Sequence, residues 1–527
     1  MSFEFFLILI IILLIRLKFI NLYSNDDWVY HWYIKKNKKK INYSTNESFL
    51  DGIHSKPVLH SFIISFFPES KWKIIGIFLN FIFDFLTMAI MILLLKSFFF
   101  NSDNSKYIEL SLLIFFSSPN LNPAIGRIQT SSPRTFGLFI FSAFVYCSYY
   151  LQMSDGLNFI ILCLISILAI MSSLFAAQAI FFFSIIFSIL ISDPFIFFSV
   201  IFSYILPFFF NFKAKENILY SFHQKIWYFN SMHQNTSAHS INLFSGLLFL
   251  LNFKSLLNIN KNFIISIMHQ IFKNNSLFVF IIYNLPLVLF FYFFYFFNNS
   301  NLIIMDDNLL ILFNITLSMI ICFFITSIKY FKFLGQPQRY MEYALPFYSI
   351  LVCWFFISIN QIELIYILIL LNIFFSIVIF FIFVKRGNQK NERQKNREFN
   401  SIIKWLNKNA INKNILTNPV KLAYLFSYQQ LIYRLNKNIY FYFRNIIRKN
   451  EYGFKYYFED CSYSFGPEFE GFIQKKGKYL KKKYNIDYII LEKIYLKFIS
   501  NKSFMENFSE IKKNKIIETK NFIIYKT

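Results

Sequence analysis

The sequence predicts an α-helical polytopic membrane protein with about 11–13 transmembrane helices and a small soluble α/β domain at its C-terminus. Three observations predict it. Hydrophobic residues fill 56% of the 527 positions and aromatic residues 22%, more apolar surface than one soluble core can hide. Between Phe3 and Val384 the chain repeatedly approaches the run of about 20 apolar residues that crosses about 30 Å of hydrocarbon. From Lys385 onward the text changes to Lys and Asn with short apolar runs, which sets a boundary between a transmembrane domain, residues 1–385, and a tail, residues 386–527.

Taken in order, apolar runs predict spans at residues 3–20, 73–95, 107–118, 135–151, 157–172, 174–191, 194–210 and 240–252. Further spans are expected at 263–273, 277–297, 308–327, 345–360 and 362–384. Residues 3–15 lack a basic segment before them and a small-residue cleavage site after them, so they read as a retained first span. In the tail, strands are expected at Asn414–Thr417, Ile439–Phe443, Asp487–Glu492 and Asn521–Tyr525, with helices at Pro419–Tyr428 and Phe469–Lys483. A helix leading into the third strand suits a βαβ unit with a parallel sheet. The tail has no glycine-rich phosphate loop, so nucleotide binding has no support.

The net charge of +25 invites a nucleic-acid partner, but the basic residues are spread over loops and tail rather than gathered on one face, and no nucleic acid is expected. Heavy use of Lys, Asn, Ile and Phe is also what mutational bias in an AT-rich genome writes. Of five scattered cysteines, Cys147, Cys163, Cys322 and Cys353 lie in apolar helical text, where a thiol behaves as a small hydrophobe; no disulfide framework or zinc site follows.

Chemistry is expected in the loops. Six of the seven histidines fall in two of them, residues 21–72 and 212–239. The sharpest feature is Asn25-Asp26-Asp27-Trp28-Val29-Tyr30-His31-Trp32, just past the first span. Two adjacent carboxylates repel each other, and burial would raise the pKa of at least one toward the range of a general base. The plain alternative is a solvated acidic pair beside an interfacial aromatic belt of Trp28, Tyr30, Trp32 and Tyr33. Asp84, inside an apolar span, faces either a cavity or a neighbouring helix. The pairs His54 and His60, and His233 and His239, do not have the spacing of a helical zinc motif.

An acidic pair directly after the first span resembles the GT-C superfamily of membrane glycosyltransferases, which use polyprenyl-phosphate-linked sugars. Three further segments carry the same resemblance: His54-Ser55-Lys56-Pro57-Val58-Leu59-His60, late in the first loop; Phe78-Leu79-Asn80-Phe81-Ile82-Phe83-Asp84, in the next span; and Gly335-Gln336-Pro337-Gln338-Arg339-Tyr340-Met341-Glu342-Tyr343-Ala344-Leu345-Pro346, before a late span. The last is the most specific.

The resemblance implies transfer of a sugar from a polyprenyl-phosphate-linked donor to the hydroxyl of a lipid or glycan acceptor, in contact with membrane lipids. Such transfer needs a base for the acceptor proton and positive charge for the departing phosphate. Either Asp26 or Asp27 would be the base, with the superfamily favouring the first of the pair. Arg339, Glu342, Arg134, His31 and His60 would bind substrate, with Arg127 and Arg134 weaker candidates than Arg339 for the phosphate. Arg339 beside Tyr340 and Tyr343 also fits an ordinary snorkelling anchor. The cofactor stays open, since some members use a divalent ion and others none.

The implied setting is a bacterial plasma membrane with the site on the extracytoplasmic side. The positive-inside rule opposes this, since Lys35, Lys36, Lys38, Lys39 and Lys40 crowd the first loop and Lys385-Arg386 opens the tail. Lys is abundant in nearly every loop, which flattens the bias that the rule uses. A transporter or flippase of a lipid-linked substrate is the other class with many spans and basic loops, although no internal repeat is visible.

Overall fold

The computed structural model describes residues 3–18, 59–68, 71–98, 105–121, 133–149, 154–210, 275–298, 307–383, 389–410, 413–418, 440–442, 487–493 and 514–526, with a few isolated positions besides. The helices are α1 (Phe3–Lys18), α2 (Leu59–Ser65), α3 (Trp72–Phe98), α4 (Ser105–Ser117), α5 (Arg134–Tyr149), α6 (Asp155–Ser172), α7 (Leu174–Ile191) and α8 (Phe195–Phe209). After them come α9 (Ser276–Tyr283), α10 (Leu285–Asn298), α11 (Asp307–Ser327), a short 3-10 turn (Lys329–Leu334), α12 (Gln338–Ser358), α13 (Ile362–Phe383) and α14 (Gln389–Asn409). Strands β1 (Asn414–Asn418), β2 (Tyr440–Tyr442), β3 (Tyr488–Glu492), β4 (Lys515–Glu518) and β5 (Phe522–Lys526) complete the chain.

This is a multispan membrane protein. Six of the described helices are long and apolar enough to cross a bilayer, and a seventh span arises if α9 and α10 count as one bent by 86°. Helices α1 and α8 hold shorter apolar stretches, while the expected spans 240–252 and 263–273 lie outside the described residues.

The chain divides into two compact units. The first comprises the described residues of Met1–Leu22, Lys73–Ile218 and Ser240–Arg386, and α12 is its centre. That helix packs against α4, α5, α9, α10, α11 and α13, and from Tyr340 to Cys353 every residue is buried. The outward faces of the bundle carry apolar side chains such as Ile74, Phe78, Leu164, Ile189 and Leu370, as lipid requires. Inside, serine and threonine hydroxyls bond back to their own helices, as Thr87 Oγ1 does to the Phe83 carbonyl (2.9 Å) and Ser349 Oγ to the Leu345 carbonyl (2.7 Å).

The second unit comprises the described residues of Tyr23–Trp72, Leu219–His239 and Gly387–Thr527. Its sheet has the order β2-β1-β3-β5-β4, with β1 parallel to β2 and to β3, and β5 antiparallel to β3 and to β4. Central β3 and β5 bury every residue from Tyr488 to Leu491 and from Phe522 to Tyr525, the continuous apolar runs of strands covered on both faces. Edge strand β4 stays largely exposed and carries Lys515 and Glu518, which discourages further strand pairing. Helix α14 lays Ile402, Ile403 and Leu406 into the interior at helical spacing, and Trp405 meets the Tyr488 ring edge-on at 5.3 Å. Glu398 fastens it further, accepting from the Asn521 backbone N–H (2.9 Å) and side-chain amide (3.2 Å). The four expected strands are present with a parallel β2-β1-β3 core, and the final strand pairs antiparallel beside an additional strand, β4. The two expected tail helices, 419–428 and 469–483, lie outside the described residues.

Candidate functional site

The approach to α12 is built around a glycine. Gly335 adopts φ +107°, a left-handed conformation strained for any other residue, and a Cβ there would lie 3.1 Å from the Phe175 ring. Pro337 then sets the chain for the helix, since its fixed φ suits a helix entry that needs no N–H. Pro346, further along, has no N–H to donate to the Glu342 carbonyl, so the ladder of α12 lacks that one bond.

Helix α7 supplies the opposing wall. Ser173 caps it, its hydroxyl accepting from the Ala176 N–H (3.3 Å), and this places Phe175 in the first turn. The Phe175 ring lies 5.1 Å from the Arg339 guanidinium, 5.1 Å from the Tyr340 ring and 5.8 Å from the Tyr343 ring. An arginine over an aromatic face is held by the ring quadrupole and by stacking. One turn along α7, the Gln178 amide donates both to the Leu334 carbonyl and to the Tyr340 hydroxyl, joining the 3-10 turn, α7 and α12.

A third wall comes from α5. A Cβ on Gly137 would come within 2.7 Å of the Tyr343 hydroxyl and 3.1 Å of Ala176 Cβ, so the glycine makes room for the tip of the Tyr343 side chain beside α7. Two residues earlier, Thr135 donates to Asn80 Oδ1 (2.9 Å), while Phe83 stacks on Phe136 at 4.4 Å, which fixes α3 to α5. Asp84, one turn beyond Asn80, is fully buried.

Arg339 is half-buried, and its cation sits in the first turn of α12, where the helix's own dipole is positive. Cation and dipole together favour an anion such as a phosphate. Glu342 is buried on the same helix. Arg134 opens α5, half-buried, three residues before Gly137. The structure thus brings Arg339 and Glu342 onto the first turns of one helix, with Arg134 at the start of a helix packed against it. His60 is buried in α2, in the other unit. Asp26, Asp27, His31 and Arg127 lie outside the described residues. Among the described residues no group of three or more His, Cys, Asp or Glu is placed to hold a metal ion.

Sequence reasoning missed Phe175 and Gln178. The single amide side chain in the run 174–191 was the available signal, because a buried amide needs partners.

No family model and no curated protein matches the chain. Its fold is similar to that of the oligosaccharyltransferase of Archaeoglobus fulgidus. Against the crystal structure of that enzyme with zinc and sulfate the identity is 11% and the TM-score 0.49, covering 93% of this chain and 68% of the other. Against the same enzyme tethered to an acceptor peptide containing the NVT sequon the values are 12% and 0.45, covering 94% and 70%.

Proposed function

We propose that this chain is a membrane glycosyltransferase of GT-C type that moves a sugar from a polyprenyl-phosphate-linked donor to an acceptor hydroxyl on the extracytoplasmic side of a bacterial plasma membrane. The observation that carries the reading is the setting of Arg339: a guanidinium against the Phe175 ring, in the first turn of α12, inside the segment whose sequence resembles the superfamily's Arg-Tyr and Pro motif. In this reading Arg339 and the end of α12 bind the donor phosphate and stabilise the charge that grows on it as the sugar leaves. Asp26 or Asp27 takes the acceptor proton, and Glu342, Arg134, His31 and His60 contact substrate. A divalent ion at the acidic pair is an optional addition.

The bent α9–α10 span favours a second reading, a transporter or flippase of a lipid-linked substrate, since broken helices are common in such proteins. Turnover separates the two. In membranes given a polyprenyl-phosphate sugar, Asp26→Asn should lower transfer by something on the order of a hundredfold, the usual worth of a general base. Arg339→Ala should weaken use of the donor. If Asp26→Asn and Asp27→Asn proteins both accumulate normally and keep full product formation, the transferase reading fails. Reporters fused at Asn46 and Asn507 should both read extracytoplasmic; a cytoplasmic signal from either removes the proposed topology.

A further inference from the structure

The bent span offers a site of its own. Helices α9 and α10 meet at Asn284, and Pro286, in the first turn of α10, has no N–H to give the Ile282 carbonyl. The missing bond favours a break at this point, and the two helices meet there at 86°.

Around it four segments bring together neutral polar groups, all at most 1% exposed: Ser117 and Asn120 at and just past the end of α4, Asn284 at the break, Tyr348 of α12, and Asn372 and Ser376 of α13. The Asn120 amide donates to Asn284 Oδ1 (2.7 Å) and to the Tyr283 carbonyl (3.2 Å), and the Tyr348 hydroxyl donates to Asn284 Oδ1 (3.2 Å). The Asn284 amide donates to the Phe280 carbonyl (3.0 Å). The Asn372 amide donates to Ser117 Oγ (3.3 Å), whose own proton goes to the Ile114 carbonyl (3.2 Å). Ser376 Oγ donates to the Ser117 carbonyl (3.3 Å).

The amide orientations follow from these partners. Tyr283 offers Asn120 a carbonyl, which can only accept, so the Asn120 NH2 must point toward it; with the Ser117 proton on the Ile114 carbonyl, the Asn372 NH2 faces Ser117 Oγ. Each of the three amide nitrogens then has at least one acceptor, whereas Asn120 Oδ1 and Asn372 Oδ1 have no partner among the described residues. The buried atoms left here without any partner are both acceptors. The C-terminal ends of α4 and α9, which carry partial negative charge, meet at the same place.

We propose that the break at Asn284 is a binding site for a small electropositive guest, a monovalent cation or a water molecule, held by the amide oxygens of Asn120 and Asn372. The groups named are all neutral, which suits a single charge or none. Half-helix ends and unwound carbonyls bind such guests in membrane bundles, and buried water completes groups of this kind elsewhere. The inference is independent of the transferase reading, because it uses no residue of the Arg339 cluster.

The full-length protein in lipid nanodiscs tests it. Thermal unfolding is measured in NaCl, KCl, LiCl and choline chloride at equal ionic strength, and hydroxyl-radical labelling is measured after brief X-ray exposure, which marks side chains beside bound water. A cation guest raises the melting temperature by a few degrees in one alkali salt over choline, by mass action, and Asn372→Leu abolishes that difference. A water guest gives equal melting in all salts, but Tyr348 labels several-fold faster than Phe144, which is equally buried away from the break. Equal melting together with equal labelling overturns the proposal, as does a salt effect that persists in Asn372→Leu. If the variant fails to fold, the wild-type measurements decide alone.

Discussion

In the bundle, Asn120, Asn284, Tyr348 and Gln178 are neutral, buried, and bonded to one another or to carbonyls; in the tail, Lys493, Lys515 and Glu518 are charged, partly exposed and paired across a sheet edge. The difference follows from the surroundings. Where no water can replace a lost partner, an unpaired polar group is costly and amides that satisfy one another are economical. At a wet edge a charge costs nothing to keep, and its partner adds little. Mutually bonded amides such as Asn284 and Gln178 in the first unit therefore report architecture, while the charges on β4 report solubility and protection of an edge.

The largest expected effect lies in the tail's interior. Phe522→Ala removes a fully buried ring from the layer beneath Phe399 and should cost about 3–5 kcal/mol. Hydrogen exchange should then show β3 and β5 losing protection while α12 keeps its own. If α12 loses protection to the same extent, the two units do not differ as described.

Gln178→Leu should cost about 1–3 kcal/mol, because it removes the donor to the Tyr340 hydroxyl and leaves the Leu334 carbonyl only the long bond from Tyr340 (3.5 Å). Thermal unfolding measures it, and high salt should leave the loss unchanged. An unaltered melting temperature would mean that neutral amide bonds do not hold this bundle together.

Glu518→Gln should have the smallest effect. Hydrogen bonds from Lys493 and Lys515 hold the Glu518 carboxyl down at about 2. A carboxylate lowered on folding adds stability that is fully present above its ordinary range and fades as pH falls toward about 2. The substitution should flatten that acid-side slope, read by exchange at β4 and β5, and molar salt should shrink the difference. A slope that survives both changes belongs to another group.

Most spans were legible because lipid leaves a long, unbroken signature: runs expected at 157–172, 174–191 and 362–384 are the helices Asp155–Ser172, Leu174–Ile191 and Ile362–Phe383. The signal fails where a helix meets protein instead of lipid. Helix α12 begins at Gln338, seven residues before the expected span, because Arg339 and Glu342 read as loop text. The break at Asn284 was hidden in a continuous apolar run, although Asn284 and Pro286 marked it. Helix α14 escaped among lysines and asparagines, yet Phe399, Ile402, Ile403 and Leu406 already had helical spacing. At the candidate site, the sequence singled out Arg339 and Glu342 by resemblance. Their neighbours Phe175 and Gln178 are more than 150 residues away in the chain, a pairing that only the fold brings about.

The burial of α12 bears on how the protein is made. Apolar side chains drive a segment from the translocation channel into lipid, and each Arg or Lys at mid-span opposes it by about 2.5–3.5 kcal/mol. Arg339 stands at the end of α12 rather than its middle, but the helix also carries Gln338, Glu342, Ser349 and three tyrosines. Its neighbours α4, α5, α9 and α10 precede it in the chain, as does α11, its most extensive partner. They can therefore receive it on emergence, so that insertion of the central helix becomes an act of assembly rather than of partitioning.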